Sequence, residues 1–79
     1  MQQRDKSKLD AFDALQKKID PVKHCDMIDT CVNLIEFKTY MDSPIDWEAL
    51  IRIESNQYNL SYQETLDIVK YCAYVTNHI

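Results

Sequence analysis

Residues 60–77 read LSYQETLDIVKYCAYVTN, and they establish the helical character of this chain. Ser61 and Glu64 have the spacing of a capping box, in which two side chains satisfy free backbone N–H groups at a helix start. Apolar residues then recur from Leu66 to Val75 on more than one side of the predicted helix. Such a helix is either the buried centre of a fold or half of an interface.

Three upstream segments also show the apolar spacing of amphipathic helices. Ser7 offers a hydroxyl to cap the first of them. The second and the third each begin at a cap residue followed by proline, in the pairs Asp20-Pro21 and Ser43-Pro44, where a missing N–H costs no helical hydrogen bond. Together these signals predict helices over residues 7–19, 21–41, 44–55 and 61–77.

The whole chain is therefore predicted to be an all-α bundle of four helices in a single small domain. No run shows the sustained alternation of a strand, and neither Asn-Gly nor Asp-Gly hairpin sequences occur. Residues 1–6 are polar and are expected to be frayed. The chain contains no glycine, although phosphate-binding loops and nucleophile elbows need that residue. We therefore expect binding rather than catalysis.

Charge is distributed unevenly along the chain. The net charge is −4, yet residues 1–23 carry six basic groups against four acidic ones, a balance of +2. The remaining residues carry three basic groups against nine carboxylates, a balance of −6. A negative surface repels phosphate, so direct nucleic-acid binding by this larger part is disfavoured. A protein partner with a basic surface fits it better.

Cysteine and histidine are too scattered to predict a metal site. Cys25 and Cys31 lie six apart on one predicted helix and point in different directions, while His24 and Cys31 are separated by about 10 Å along its axis. We expect buried structural cysteines, no metal and no cofactor. Three cysteines, with Cys72, cannot all pair within one chain, and no secretory signal is recognisable, which predicts a cytoplasmic protein. No apolar stretch approaches the roughly 20 residues that cross a bilayer.

The carboxylates and aromatic residues of the C-terminal part are the candidate partner-binding groups. Five tyrosines and one tryptophan are numerous for 79 residues, and such side chains suit core margins and protein interfaces equally well. Paired carboxylates occur without any sign of a pocket that would shift one pKa, so we expect no enzyme. The candidates are Asp46, Trp47, Glu48, Glu54, Tyr58, Tyr62, Glu64 and Asp67.

Two other functions fit parts of the sequence. The apolar last helix predicts a homodimeric structural or assembly protein if that helix is half of an interface. The third and fourth helices with their short link also fit a helix-turn-helix in which Gln63 reads adenine. In that arrangement Glu64 and Asp67 would face the phosphates, and no lysine or arginine occurs between Arg52 and Lys70. DNA binding is therefore the less favoured alternative.

One segment resembles a known family. Residues 45–46, 53–61 and 64 read ID, IESNQYNLS and E, and they resemble the middle of the Hha/YmoA family of small all-helical bacterial regulators. Residues 71–73 can be placed on the same pattern with a two-residue shift. Leu60 to Glu64 also resemble a segment of the small late-transcription coactivators of large tailed phages.

The resemblance implies a bacterial or phage-borne regulator without enzymatic activity. Members of the Hha/YmoA family modulate gene silencing by docking on the N-terminal region of H-NS-type nucleoid proteins, with acidic residues meeting basic ones on the partner. Glu48 lies near one such acidic position, whereas the second falls near Asn77, which is not acidic. We therefore expect an acidic surface that docks on a basic component of the transcription or nucleoid machinery.

Overall fold

Four helices account for the regular structure. The computed structural model describes residues 6–78, with side chains from Leu9 onward, and contains no strand among them. The all-α bundle is therefore confirmed. The expected frayed segment lies outside the described residues except for Lys6, which begins the first helix one residue before the predicted cap. The helices are α1 (Lys6–Ile19), α2 (Cys25–Tyr40), α3 (Trp47–Tyr58) and α4 (Tyr62–Val75).

α4 is the centre of the bundle, because α1, α2 and α3 each pack against it. The predicted cap is confirmed: the Ser61 hydroxyl oxygen accepts a hydrogen bond from the Glu64 backbone N–H at 3.1 Å and donates one to the Glu64 carboxylate at 3.2 Å. The sequence left open whether α4 is a buried centre or half of an interface. In the described chain α4 is the buried centre. Its buried residues are Thr65, Asp67, Ile68, Val69, Cys72, Ala73 and Tyr74.

The start of α2 differs from the prediction by four residues. Asp20 adopts a left-handed conformation with φ 51°, and its carbonyl accepts hydrogen bonds from the backbone N–H groups of Lys23 and His24. Residues 21–24 therefore form a turn, and α2 begins at Cys25. An aspartate followed by proline suits a turn as well as a helix start, which explains why the local pattern did not distinguish the two.

α3 begins and ends later than predicted. Its cap is Asp46 rather than Ser43, since the Asp46 carboxylate accepts a hydrogen bond from the Ala49 backbone N–H at 3.1 Å. The helix also continues through the predicted polar link to Tyr58. It ends where Asn59 turns left-handed with φ 54°, a conformation that asparagine tolerates well.

A single apolar core joins the helices. Two aromatic contacts attach α1 to α4, since the ring of Phe12 stacks on Tyr71 and Tyr74 at centroid distances of 5.3 and 4.2 Å. None of the described helices combines the length and the apolar character needed to cross a bilayer. The buried core residues are Ile19, Met27, Cys31, Ile35, Ile51, Ile68, Val69 and Cys72.

Candidate protein-binding surface

Two of the eight candidate residues lie in the core and not at the surface. Glu54 is only 2% exposed, because it follows Ile51 by three residues and so shares the inner face of α3. Asp67 is also buried; it accepts a hydrogen bond from the Gln63 amide at 3.2 Å and pairs with the Lys18 ammonium at 2.9 Å. The expectation that these two carboxylates dock on a partner is therefore corrected.

The buried carboxylate of Glu54 has an unusual environment. Its Oε2 atom is inaccessible to solvent and has no hydrogen-bond partner among the described residues. Burial without compensation disfavours the charged form, so the pKa of the Glu54 carboxyl is raised above its ordinary value. The buried carboxylate of Glu54 therefore affects the free energy of unfolding of the bundle and is not available to a partner.

Asp46 and Glu48 are both exposed at the start of α3. The Asp46 carboxylate caps α3, and its hydrogen bond from the Ala49 N–H occupies part of its hydrogen-bonding capacity. The Glu48 carboxylate accepts a hydrogen bond from the Arg52 guanidinium at 2.7 Å, one helical turn further on. Because this ion pair is exposed, it contributes little to stability, and Glu48 remains able to exchange Arg52 for a cation from a partner.

Trp47 and Tyr58 are half-buried at opposite ends of α3 and pack against the core. The rings of Trp47 and His78 lie in an edge-to-face arrangement at a centroid distance of 5.9 Å. The Tyr58 hydroxyl shares a hydrogen bond of 3.2 Å with the Thr30 hydroxyl on α2. Both aromatic residues therefore hold elements of the fold together.

Tyr62 and Glu64 are exposed in the first turn of α4. Gln63, the residue that a helix-turn-helix would use to read a base, donates a hydrogen bond to Asp67. Glu64 places a carboxylate on the same turn, where a bound phosphate would be repelled. The packing of α1 does bring the Lys18 ammonium to this end of α4, but it is paired with Asp67.

The largest exposed apolar side chains lie on α2 and were not among the candidates. Phe37 is 61% exposed and Tyr40 is 87% exposed, and Leu34 and the C-cap residue Met41 are also open to solvent. Tyr40 lines a cleft with Val75 and His78, on another side of α2 from Leu34. Ile53 on α3 is 59% exposed and lies across a groove from Leu34. The sequence carried a signal for this surface, because α2 has more apolar residues than the stripe through Cys31 and Ile35 can bury.

A groove runs between α2 and α3. It is called the α2–α3 groove below, and its volume is about 220 Å³. It forms because both helices pack against α4 more closely than against one another. The hydrogen bond between Thr30 and Tyr58 lies toward one end, and residues 41–46, which join the helices, lie toward the other. The groove is lined by Leu34, Ile35, Lys38, Ile45, Asp46, Ala49, Leu50 and Ile53.

The charged residues that line the α2–α3 groove are one acid and one base, Asp46 and Lys38. The other exposed charges nearby in sequence belong to other surfaces. Glu36 lines a cleft with Val75 and His78, and Asp42 lines another with Thr39 and His78. Glu48 and Arg52 pair with each other on α3 and do not line the groove.

The cysteines do not form a reactive centre. Cys25 is exposed, which corrects the expectation that all three are buried, whereas Cys31 and Cys72 are inaccessible to solvent. A hydrogen bond with Cys31, together with burial, raises the pKa of the Cys72 thiol, so this residue stays in its unreactive protonated form. No group of three side chains capable of holding a metal ion occurs in the described part of the chain.

Comparisons of the chain with protein families, with curated proteins and with solved structures found no match. The candidate surface therefore has to be interpreted from its own geometry. That geometry consists of an apolar groove whose charged lining is Asp46 and Lys38, and of exposed Phe37 one turn beyond the lining residue Leu34.

Proposed function

We propose that the protein is a non-enzymatic regulator that binds a basic protein partner of the transcription or nucleoid machinery. The observation that carries this proposal is the apolar α2–α3 groove, with exposed Phe37 one turn beyond its lining residue Leu34. Large exposed aromatic side chains are typical anchors of protein interfaces. Exposed carboxylates on α2, α3 and their connection, at Glu36, Asp42, Asp46 and Glu48, favour a partner that offers cations as well as apolar side chains.

The size of the groove favours a protein partner over a small molecule. Its volume of about 220 Å³ is below the range of roughly 300–1,000 Å³ that is usual for small-molecule sites. A cleft of this size suits one or two side chains that project from another protein. The exposed apolar residues beside it extend the contact beyond the cleft itself.

The proposed place in transcription or nucleoid regulation rests on the resemblance of residues 45–64 to the Hha/YmoA family. Glu48, which lies near an acidic contact position of that family, is exposed and paired only with the exposed Arg52. On α3 it lies at least about 100° around the helix axis from each of the lining residues Ala49, Leu50 and Ile53, so it projects from another side of the helix than the groove. The acidic contact at Glu48 and the apolar contact in the groove are therefore two separate contacts in this proposal.

Photo-crosslinking in the native host tests the proposal. A benzophenone amino acid replaces Phe37 beside the groove or, as the control, Val22, which is 83% exposed on the link between α1 and α2. We expect Phe37 but not Val22 to crosslink a protein with a basic surface that belongs to the transcription or nucleoid machinery. No crosslink from Phe37, or a crosslink to a protein without a basic surface, would refute the proposal.

A charge test on the purified partner completes the design. Asp42 has a left-handed backbone conformation, and Asp46 caps α3. Asparagine tolerates the first position and caps a helix as well as aspartate does at the second. The double variant Asp42→Asn, Asp46→Asn therefore removes two charges and keeps the cap. The control is Asp10→Asn with Asp13→Asn, which removes two exposed charges from α1. We expect only the first pair to weaken binding, and more strongly at about 50 mM than at about 200 mM salt.

A further inference from the structure

We propose that Cys31 and Cys72 are a redox-sensitive pair, which a low-molecular-weight disulfide such as oxidised glutathione converts into a disulfide bond between α2 and α4. This inference is independent of the protein-binding function proposed above. Both cysteines are inaccessible to solvent and belong to one core cluster. Oxidation therefore turns a packing contact between two helices into a covalent one.

The two thiols meet where α2 packs on α4. A hydrogen bond joins them, and the Cys72 thiol also contacts the Ile28 carbonyl oxygen at 3.8 Å. Ile28 lies three residues before Cys31 on α2, so both contacts place the Cys72 sulfur against the same turn of that helix. Two cysteine side chains that point toward each other across a helix interface meet the first geometric requirement of a disulfide.

Position in the helix selects Cys31 rather than Cys25 as the partner of Cys72. Cys25 is exposed at the first residue of α2, and its thiol donates a hydrogen bond to the Asp26 carboxylate at 3.9 Å. Six residues, or about 9 Å along the helix axis, separate Cys25 from Cys31. Packing of the core thus brings one pair together from the three cysteines of the chain.

The reaction is a thiol–disulfide exchange in two steps. One cysteine thiolate attacks the small disulfide and releases one molecule of the small thiol, which leaves a mixed disulfide on the protein. The second cysteine attacks this mixed disulfide, forms the S–S bond of the protein and releases the second small thiol. In total the protein loses two electrons and two protons, and the small disulfide gains both.

Burial controls when this exchange starts. In the closed bundle the Cys72 thiol stays protonated, because its hydrogen bond with Cys31, its burial and the nearby carboxylate of Glu54 raise its pKa. The small disulfide reaches the sulfur atoms only in chains in which α2 has opened from α4. The bond then closes a segment of about 40 residues, which restricts the open chain more than the folded one. Oxidation therefore follows an opening of the bundle and opposes the next one.

Redox titration of the Cys25→Ser chain tests the proposal. This variant removes the exposed thiol and keeps the buried pair. The chain is equilibrated with mixtures of reduced and oxidised glutathione in native buffer and in concentrated urea, and the bond is identified by mass spectrometry of non-reduced digests. We expect a disulfide between Cys31 and Cys72. Its equilibrium constant should be at least about tenfold larger in native buffer than in urea, because the fold holds the two sulfur atoms together.

Thermal unfolding provides the second measurement. The oxidised Cys25→Ser chain should have a Tm about 10 °C or more above that of the reduced chain, and dithiothreitol should reverse the gain. The matched control is Cys25→Ser with Cys31→Ala, checked for its helical fold by circular dichroism. We expect this control to form no disulfide within the chain and to gain no Tm on oxidation.

The comparison of native buffer with urea needs no substitution in the core, so it decides the question even if the Cys31→Ala control does not fold. An equilibrium constant that is equal or smaller in native buffer refutes the proposal. A Tm that oxidation leaves unchanged or lowers, or a product that carries only bound glutathione or a bond between two chains, also refutes it. In each of these cases Cys31 and Cys72 serve only to fill the core.

Discussion

Replacing Glu54 by methionine is expected to stabilise the protein at neutral pH. The residue is 2% exposed, and its Oε2 atom has no hydrogen-bond partner among the described residues. A buried polar group without a partner costs about 1–3 kcal/mol, and more when it is charged. Methionine is unbranched like glutamate, so Glu54→Met removes the polar atoms while it keeps most of the volume. We therefore expect the free energy of unfolding to rise by about 1–3 kcal/mol at pH 7.

The gain from Glu54→Met should grow with pH. Below the ordinary carboxyl pKa of 4.5, Glu54 is protonated in both the folded and the unfolded chain. Above it, the unfolded chain loses this proton first, because burial has raised the folded-state pKa. The folded wild type then binds more protons than the unfolded chain, so its stability falls as pH rises through the window between these two values. Methionine does not titrate, so the stability of the Glu54→Met variant does not fall in this window for that reason.

Urea unfolding followed by circular dichroism at pH 4.5 and pH 7 measures both effects. In thermal unfolding of a domain of this size, each 1 kcal/mol corresponds to a shift of about 4–8 °C in Tm. The control is Glu36→Met, at an exposed position on α2, where we expect a change within about 0.5 kcal/mol. A variant less stable than wild type at pH 7, or a gain that is the same at both pH values, refutes the reasoning.

Three further predictions concern the helix ends and the thiols. Ser61→Ala removes the cap of α4 and should lower the free energy of unfolding by about 0.5–2 kcal/mol in urea titrations. Asn59→Ala should cost about 1 kcal/mol in the same assay because φ is 54° at this position, whereas Asn59→Gly should be tolerated. A thiol reagent such as dithionitrobenzoate should modify Cys25 rapidly in the native protein, and Cys31 and Cys72 only after unfolding.

The sequence predicted the elements whose signals are local. Ser61 and Glu64 lie within one turn, and their capping contacts need no other part of the chain. The start of α2 was misplaced because the Asp20-Pro21 pair fits both a helix start and the turn that it forms. The N-cap of α3 is Asp46 and not Ser43. Two possible cap residues lie three positions apart here, and which of them caps the helix depends on how the chain enters the bundle.

The binding surface was harder to predict than the fold because it depends on which helix is buried. Glu54 stands at the spacing of the inner face of α3, yet charge alone favours the outside, and only the packed structure resolves that conflict. The apolar excess of α2 is visible in its sequence, but helical spacing alone does not show that Leu34 and Phe37 lie outside the core. Their exposure follows from the position of α4, which no local pattern specifies.

The central position of α4 links the fold to the proposed function. α4 has more buried residues than α2 or α3, because α1, α2 and α3 all pack against it. α2 and α3 pack on α4 more closely than on each other, so the outer apolar residues of α2 remain exposed among the residues that the structure describes. The groove between α2 and α3 is thus a consequence of how the core is filled.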